Sequence, residues 1–404
     1  MGGGPAGMVL GLLLGRAGVD VLVLEKHADF LRDFRGDTIH PSTLELMAEL
    51  GLADRVLALR HSKVSRLAME MEGRRLVFGD LGRLRSPFPY VVFVPQWDFL
   101  DLLASEARTC PSFRLLMSAE ATGVVMEHGA VCGLRYRASD GDHEIQTDLV
   151  VAADGRWSRV RESAGLVPVE ASPPMDVLWF RLSRRPEEPE EVAVHMVPGR
   201  LMVMINRFSY WQVGYVILKG SDQQVRAAGL DAFRASVAAL APEVADRVGE
   251  LRDWDQIKLL TVRANRLRRW CRPGLLCIGD AAHAMSPVAG VGINLAIQDA
   301  VVAANVLAGP LRRGRVRTWR LWQVQARREL PVRIAQAFQE LVQRQVAAPA
   351  LRSGVVSPPR ALILFDRIPA LRGIPARLVG RGPWRVRLRR SLRAGARPGS
   401  ATGA

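Results

Sequence analysis

The chain has 404 residues, 49% hydrophobic and 24% charged. That composition excludes a mainly disordered, collagen-like or disulfide-scaffold protein, and the length sets a prior of about two to three domains. The formal net charge is +16, and only Lys26, Lys63, Lys219 and Lys258 among the 56 basic residues are lysine; such a charge raises a nucleic-acid or membrane reading that its location must decide.

In chain order, residues 2–7 read GGGPAG and fit a G-x-G-x-x-G turn through Gly2, Gly4 and Gly7. An apolar helix follows, with Gly11 and Gly15 placed for close packing on a sheet, and then the strand DVLVLE ends in Glu25. Glu25 lies 18 residues after Gly7, near the spacing of about 20 expected of an acid that binds ribose hydroxyls. The chemistry calls for these residue types. Glycines let backbone approach a pyrophosphate, a helix N-terminus offers N–H groups with partial positive charge, and a carboxylate accepts from a ribose. Such a turn should follow a strand, yet Met1 stands where that strand would end. About six to ten further residues upstream are therefore expected in the native protein.

Arg35 and Gly36 fall on a loop, and Ser42 with Glu45 spells an S-x-x-E capping box that predicts a helix from about Thr43. Gln96 lies at the start of a further predicted helix. Residues 148–166 give a buried strand ending in Asp154-Gly155. The stretch 176–263 opens with short β-rich runs that predict an antiparallel sheet, with residues 64–94 as a pairing candidate. Trp179, Met202, Met204, Trp211 and Tyr215 are candidate pocket-lining residues, although core packing is the ordinary role for most such side chains. Residues 274–308 give a strand to Gly279-Asp280, a loop with Pro287, Gly290 and Gly292, and a helix opening near Asn294. Asp280 would end a strand at the carboxyl edge of an α/β sheet, where ligands bind. His283 reads as a structural neighbour of that loop rather than a base.

After Gly309-Pro310 helical patterns run to about residue 346, and Pro331 should break or kink them. From Leu311 to Ala404 there are 21 Arg against Glu329, Glu340 and Asp366. The basic character therefore belongs to the last quarter, and the body is near neutral. The Arg-, Gly- and Pro-rich segment from about Arg377 is expected to be largely disordered. Four cysteines without C-x-x-C and seven scattered histidines offer no disulfide or metal framework and suit the cytoplasm. No apolar run of about 18–20 residues predicts a membrane span.

With four separated motifs in order, the sequence resembles the single-component FAD-dependent monooxygenases, the class of the para-hydroxybenzoate hydroxylases. The resemblance covers roughly residues 2–310 and continues more weakly to about 375. It implies an α/β fold: a Rossmann-like FAD-binding domain, its first strand apparently missing, interleaved with a β-sheet substrate domain and followed by C-terminal helices. The implied division is 1–70, 95–175 and 264–310 for FAD, 71–94 and 176–263 for substrate, 311–375 helical, and 376–404 as an Arg-rich tail. By the same resemblance Gly2, Gly4 and Gly7 hold the FAD pyrophosphate, Glu25 the adenosine ribose, and Arg35 and Gln96 contact FAD. Asp154 and Gly155 serve FAD and reduced nicotinamide, Asp280 the ribityl and pyrophosphate part, and Pro287, Gly290, Gly292 and Asn294 border the flavin ring.

The implied activity uses NADH or NADPH as a transient reductant and molecular oxygen. It hydroxylates an aromatic or polyketide-like small molecule through a flavin C4a-hydroperoxide. A single dinucleotide fingerprint argues against a second Rossmann domain, and the absent W-x-W-x-I-P element argues against a halogenase. A dehydrogenase or reductase of the same fold, or an N-terminally truncated form unable to hold FAD, are the alternatives. Neither a metal nor a nucleic-acid partner is expected, and the chain is expected as a monomer or homodimer.

Overall fold

The computed structural model describes residues 2–31, 38–71, 74–188, 192–314, 316–352 and 358–393. Helix α1 (Pro5–Arg16) starts on Pro5, whose fixed φ suits a first helical position. It is buried along most of its length, because it lies between strands and helices. A Cβ on Gly11 would stand 2.8 Å from the Phe113 ring and 2.9 Å from Val23. Glycine there lets α1 settle directly onto the parallel pair β1 (Val21–Leu24) and β2 (Phe113–Leu116), which run Val21 beside Phe113. A second parallel pair joins β3 (Val150–Ala152) to β8 (Leu275–Cys277). Gly2 lies between the two ladders. Its N–H donates to the Leu24 carbonyl at 2.8 Å, and a Cβ on it would be 2.2 Å from the Ala153 carbonyl oxygen.

Helix α2 (Pro41–Glu49) begins two residues earlier than the capping-box reading predicts. His40 is its N-cap residue and caps with no side-chain bond. Pro41 at the first helical position sets the start instead, and Glu45 turns away to the Ser86 hydroxyl at 2.7 Å. Helix α3 (Gln96–Ala107) starts on Gln96 as predicted.

The roof is a seven-stranded sheet. Its order is Lys258–Leu260, β4 (Met175–Ser183), β7 (Tyr210–Leu218), β6 (Arg200–Asn206), β5 (Ala193–Val197), Arg66–Met71 and Arg74–Asp80. Successive side chains point to opposite faces, and both faces are covered. One face carries Leu178, Phe180, Met202, Met204, Trp211 and Tyr215 against the helix Leu230–Leu240. The other carries Val177, Trp179, Met196, Leu201 and Val216 toward Val288 and Ala347–Leu351.

Helix α4 (Gly292–Arg312) packs on α1 and supplies the centre of the main core. It is long and apolar enough to cross a membrane, contrary to the sequence expectation, but most of it is buried inside the fold. Helix α5 (Thr318–Val342) runs through Pro331 without the expected break; Pro331 and Val332 are buried there. Helix α6 (Gly373–Arg381) and the segment to Arg393 correct the expectation of a disordered tail, as far as residue 393. Leu388 and Leu392 are buried in the main core. The acids of α2 answer the arginines: Arg381 and Arg385 reach Glu45 at 2.9 and 2.8 Å, and the Leu388 N–H donates to Glu49 at 2.7 Å. Residues 394–404 lie outside the described residues.

Candidate active site

The glycine turn, the Asp154 turn, the Asp280 turn and the N-terminus of α4 converge. Gly279, at φ +59°, would bring a Cβ within 3.2 Å of Ala296 on α4 and 3.3 Å of Ala6 on α1. Within the first turn the three fingerprint glycines differ in purpose. Gly2 has φ +82°, and a Cβ on Gly7 would fall 2.0 Å from the Gly2 carbonyl oxygen; both are demanded by backbone contact. Gly4 is the N-cap of α1, no side chain caps it, and a Cβ there would meet nothing within 4 Å. Its open side leaves the uncapped helix N-terminus accessible, which is the geometry of an anion cradle.

Glu25 directly follows β1 and is buried. Its carboxylate accepts from the Gly3 N–H at 2.9 Å and the His27 N–H at 3.1 Å, so the acid is oriented by the same turn. Carboxylate oxygens accept more than one hydrogen bond each, which suits a ribose diol beside them. Gln96 stands at the first position of α3. Arg35 lies outside the described residues.

Asp154 turns toward its own chain. The Ser158 hydroxyl donates to it at 2.5 Å and the Val160 N–H at 3.3 Å, so its carboxylate holds the start of the short helix Arg159–Ser163. Gly155 takes φ +87°. The next two residues face outward. Arg156 lies 3.6 Å from the Asp280 carboxylate, and the exposed Trp157 ring carries the Arg263 guanidinium 4.0 Å above its centroid.

Asp280 sits in the turn after β8 with its carboxylate partly exposed. A hub that spacing alone does not show fixes this turn. Asp299 on α4 accepts the Gly279 N–H at 3.0 Å, lies 2.6 Å from His283 Nε2, and pairs with Arg328 Nε at 2.7 Å. Burial alone would raise the Asp299 pKa, but His283 and Arg328 hold it below the usual carboxylate range. His283 is thus spent on structure, its ring tilted against Trp270 with centroids 4.8 Å apart.

The loop before α4 is strained by design. Ala289 and Gly290 take φ +61° and +60°, and a Cβ on Gly290 would approach Thr38 Oγ1 to 2.7 Å. Pro287 precedes this turn, and Gly292 opens α4. Asn294 is a clasp. Its Oδ1 accepts from the His40 N–H at 2.9 Å and the Thr43 hydroxyl at 2.7 Å, while its Nδ2 donates to the Thr38 and Gly290 carbonyls. All four hydrogen-bonding positions of the amide are engaged, so it supports the loop rather than reaching outward. His40 beside it is driven down to about 4 by burial, against the Val379 and Ala289 carbonyls.

The candidate pocket residues divide between the two faces of the roof. Trp179 lies on the face toward Val288 and the glycine loop. Met202, Met204, Trp211 and Tyr215 lie on the other face, a correction to the sequence reading. Tyr215 meets Ser236 at 2.7 Å and Trp211 donates to Glu188 at 2.6 Å, both away from the loop. Residues that do share the Trp179 side include Val177, Val194, Met196, Leu201 and Val216. Alternation about the registered pairs adds Gln212, which accepts from buried Arg207 at 3.0 Å. Strict period two, anchored on Trp179, was the signal that could have found them.

The family described as an FAD binding domain matches residues 1–338. The chain is 33% identical over 396 residues to a 6-methylpretetramide 4-monooxygenase of Streptomyces rimosus, covering 97% of this chain and 94% of that one. It is 28% identical to a 3-(3-hydroxy-phenyl)propionate/3-hydroxycinnamic acid hydroxylase of Burkholderia cenocepacia, over 76% of this chain; the chain spans 56% of that relative's length. Among solved structures, an anhydrotetracycline hydroxylase from Streptomyces rimosus superposes with a TM-score of 0.72 at 20% identity, covering 94% of this chain and 74% of that one.

Proposed function

Because the chain belongs to the FAD-binding-domain family and is an FAD-dependent monooxygenase, we propose that its substrate is a flat, apolar, polyketide-like aromatic molecule. We further propose that NADH or NADPH serves as the transient reductant of the enzyme and that the enzyme works in the cytoplasm. The observation that carries the substrate reading is the loop-facing side of the roof. Val177, Trp179, Val194, Leu201 and Val216 form an apolar wall toward Val288, covered in part by Ala347, Ala350 and Leu351, with the Arg207–Gln212 pair on the same side. Such a wall suits fused rings, and the polar pair suits their oxygen substituents. The two relatives named for aromatic hydroxylation support the same direction.

The residues present fit FAD. Gly2, Gly4 and Gly7 leave an uncapped helix N-terminus open to a diphosphate, Glu25 is set for the adenosine ribose, and Asp280 presents a partly exposed carboxylate toward a polyol chain. Bound FAD supplies hydride acceptance and oxygen activation. The protein's part is positional and electrostatic. The N-terminus of α4 places partial positive charge beside the loop, which favours a reduced, anionic ring there. The roof and the helices beneath it keep water from the reacting centre. Arg156 lies 3.6 Å from Asp280, and the Arg263 guanidinium stacked on the exposed Trp157 offers a cation and an aromatic face to an anionic dinucleotide.

The test is oxygen uptake by the FAD-loaded protein with NADH or NADPH and a panel of hydroxylated polycyclic aromatics, followed by mass spectrometry. The expected result is a product carrying one added oxygen. Reductant and oxygen consumed across the panel with no oxygenated product would defeat the substrate reading.

A further inference from the structure

Helix α5 presents a second side to solvent. Its buried side, with Leu321, Val324, Arg328, Val332 and Gln339, packs toward α4 and the strand Cys271–Arg272. At about 100° per residue, Trp319, Trp322, Ala326, Leu330, Ala337 and Leu341 fall on the opposite side. The four large ones are 47, 41, 53 and 56% exposed in chain order. Together they form a ridge roughly 33 Å long at ~1.5 Å per residue. Single exposed apolar residues are ordinary, but a continuous line of them marks an interaction surface.

The charges around the ridge are positive in balance, with arginines outnumbering the two acids of the helix. Arg312, Arg313 and Arg317 are exposed at its start, Arg320 stacks 4.0 Å over Trp319, and Arg327, Arg333 and Arg344 follow along the helix. The acids of α5 are both taken: Glu329 pairs with Arg333 at 4.0 Å and Glu340 with Arg344 at 2.5 Å.

We propose that this ridge is a peripheral docking surface for an anionic lipid membrane. Charge complementarity selects the occupant. A second copy of the chain would set two arginine-rich faces against each other. A ridge of side chains projecting from a helix inserts among headgroups without needing a shaped pocket. Trp and Arg each combine an apolar body with a polar end, the combination that partitions to the membrane boundary. The proposal does not depend on the substrate reading above.

The test sediments the FAD-loaded protein with vesicles of phosphatidylcholine alone or with about 30% phosphatidylglycerol. Binding is expected to the anionic vesicles, weakened by salt, and about tenfold weaker to neutral ones. The triple variant Trp319→Gln, Trp322→Gln, Leu330→Gln should bind anionic vesicles about tenfold less. Val167→Gln, at an exposed apolar residue elsewhere, should bind like the parent. Brominated lipid should quench tryptophan emission of the unmodified protein, which keeps the proposal testable if the triple variant fails to fold. No sedimentation with anionic vesicles, no quenching, or an undiminished triple variant would each overturn it. So would a dimer that the triple variant dissolves, or retention on polyglutamate without vesicle binding.

Discussion

The glycine turn and the roof sheet do different work with different materials. In the turn the groups on offer are backbone N–H groups, and at Gly2 and Gly7 a side chain must be absent. In the roof the groups on offer are side chains, and which of them can face the loop depends on the face they take. One added carbon is therefore intolerable at Gly2 or Gly7, whereas the roof accepts exchanges that keep volume.

Substitutions that separate these two demands span a wide range of effect. The largest is expected from Gly7→Val. Its Cβ would lie 2.0 Å from the Gly2 carbonyl oxygen, so the cradle must open, and FAD affinity should fall more than about a hundredfold. Fluorescence titration with FAD measures it, and a near-parental Kd would mean the turn yields as easily as the roof. Next comes Met204→Ala on the outer face. A fully buried methionine leaves a cavity costing about 2–5 kcal/mol, read from denaturant unfolding, while the KM for an accepted substrate should stay unchanged. Glu25→Gln keeps the shape of the turn but weakens the bonds to the Gly3 and His27 N–H groups. FAD affinity should drop about tenfold. Trp179→Leu, on the loop-facing side, should raise KM severalfold and leave the FAD Kd alone; equal disturbance of both would erase the distinction between turn and roof.

The smallest effect belongs to the seam where β5 meets Arg66–Met71. His195 Nδ1 lies 3.2 Å from Glu70 and Nε2 lies 2.8 Å from Glu243. Burial works against the imidazolium, but Glu243 and Glu70 hold its pKa above the usual histidine value. Glu243 is depressed: burial pushes it up, yet the His195 bond lowers it further. A raised histidine stabilises below its unfolded pKa of about 6.5 and loses that contribution as pH rises through the folded value. A depressed glutamate loses its contribution as pH falls through its own lowered pKa. The roof should therefore be firmest in mildly acidic solution and loosen toward alkaline pH. His195→Asn should flatten that profile in thermal melts; an unchanged slope would locate the pH dependence elsewhere. Both acids are substantially exposed, so solvent screening keeps the effect small.

The backbone geometry of the proposed cofactor side was legible because its residues have few other reasons to stand where they do. Gly2, Gly4 and Gly7, Glu25 at a strand end, and Asp280 at a strand–turn junction are all defined by backbone geometry close in sequence. Roles set by distant partners were not legible. The bonds that Asn294 makes to residues 38–43 could not be read from its place after the glycine loop. Glu45 was read as a cap, yet it pairs with arginines more than 300 residues away. Met202, Met204, Trp211 and Tyr215 were chosen for size, and a one-residue shift of face sends the whole set outward. The tail was judged by composition, which registers arginines but not the acids of α2 that receive them.

The Asp299 hub also bears on how the protein is made. The turn that carries Asp280 is anchored by a carboxylate on α4, and that carboxylate is balanced by Arg328, two turns and more into the next helix. A growing chain that ends after Asp299 but before Arg328 would hold this acid without its guanidinium, and burying it then would cost about 3–5 kcal/mol. Folding during synthesis proceeds from the N-terminus. The cradle for the dinucleotide, though encoded first, should therefore be among the later parts to become rigid, and cofactor capture should lag behind translation of Arg328.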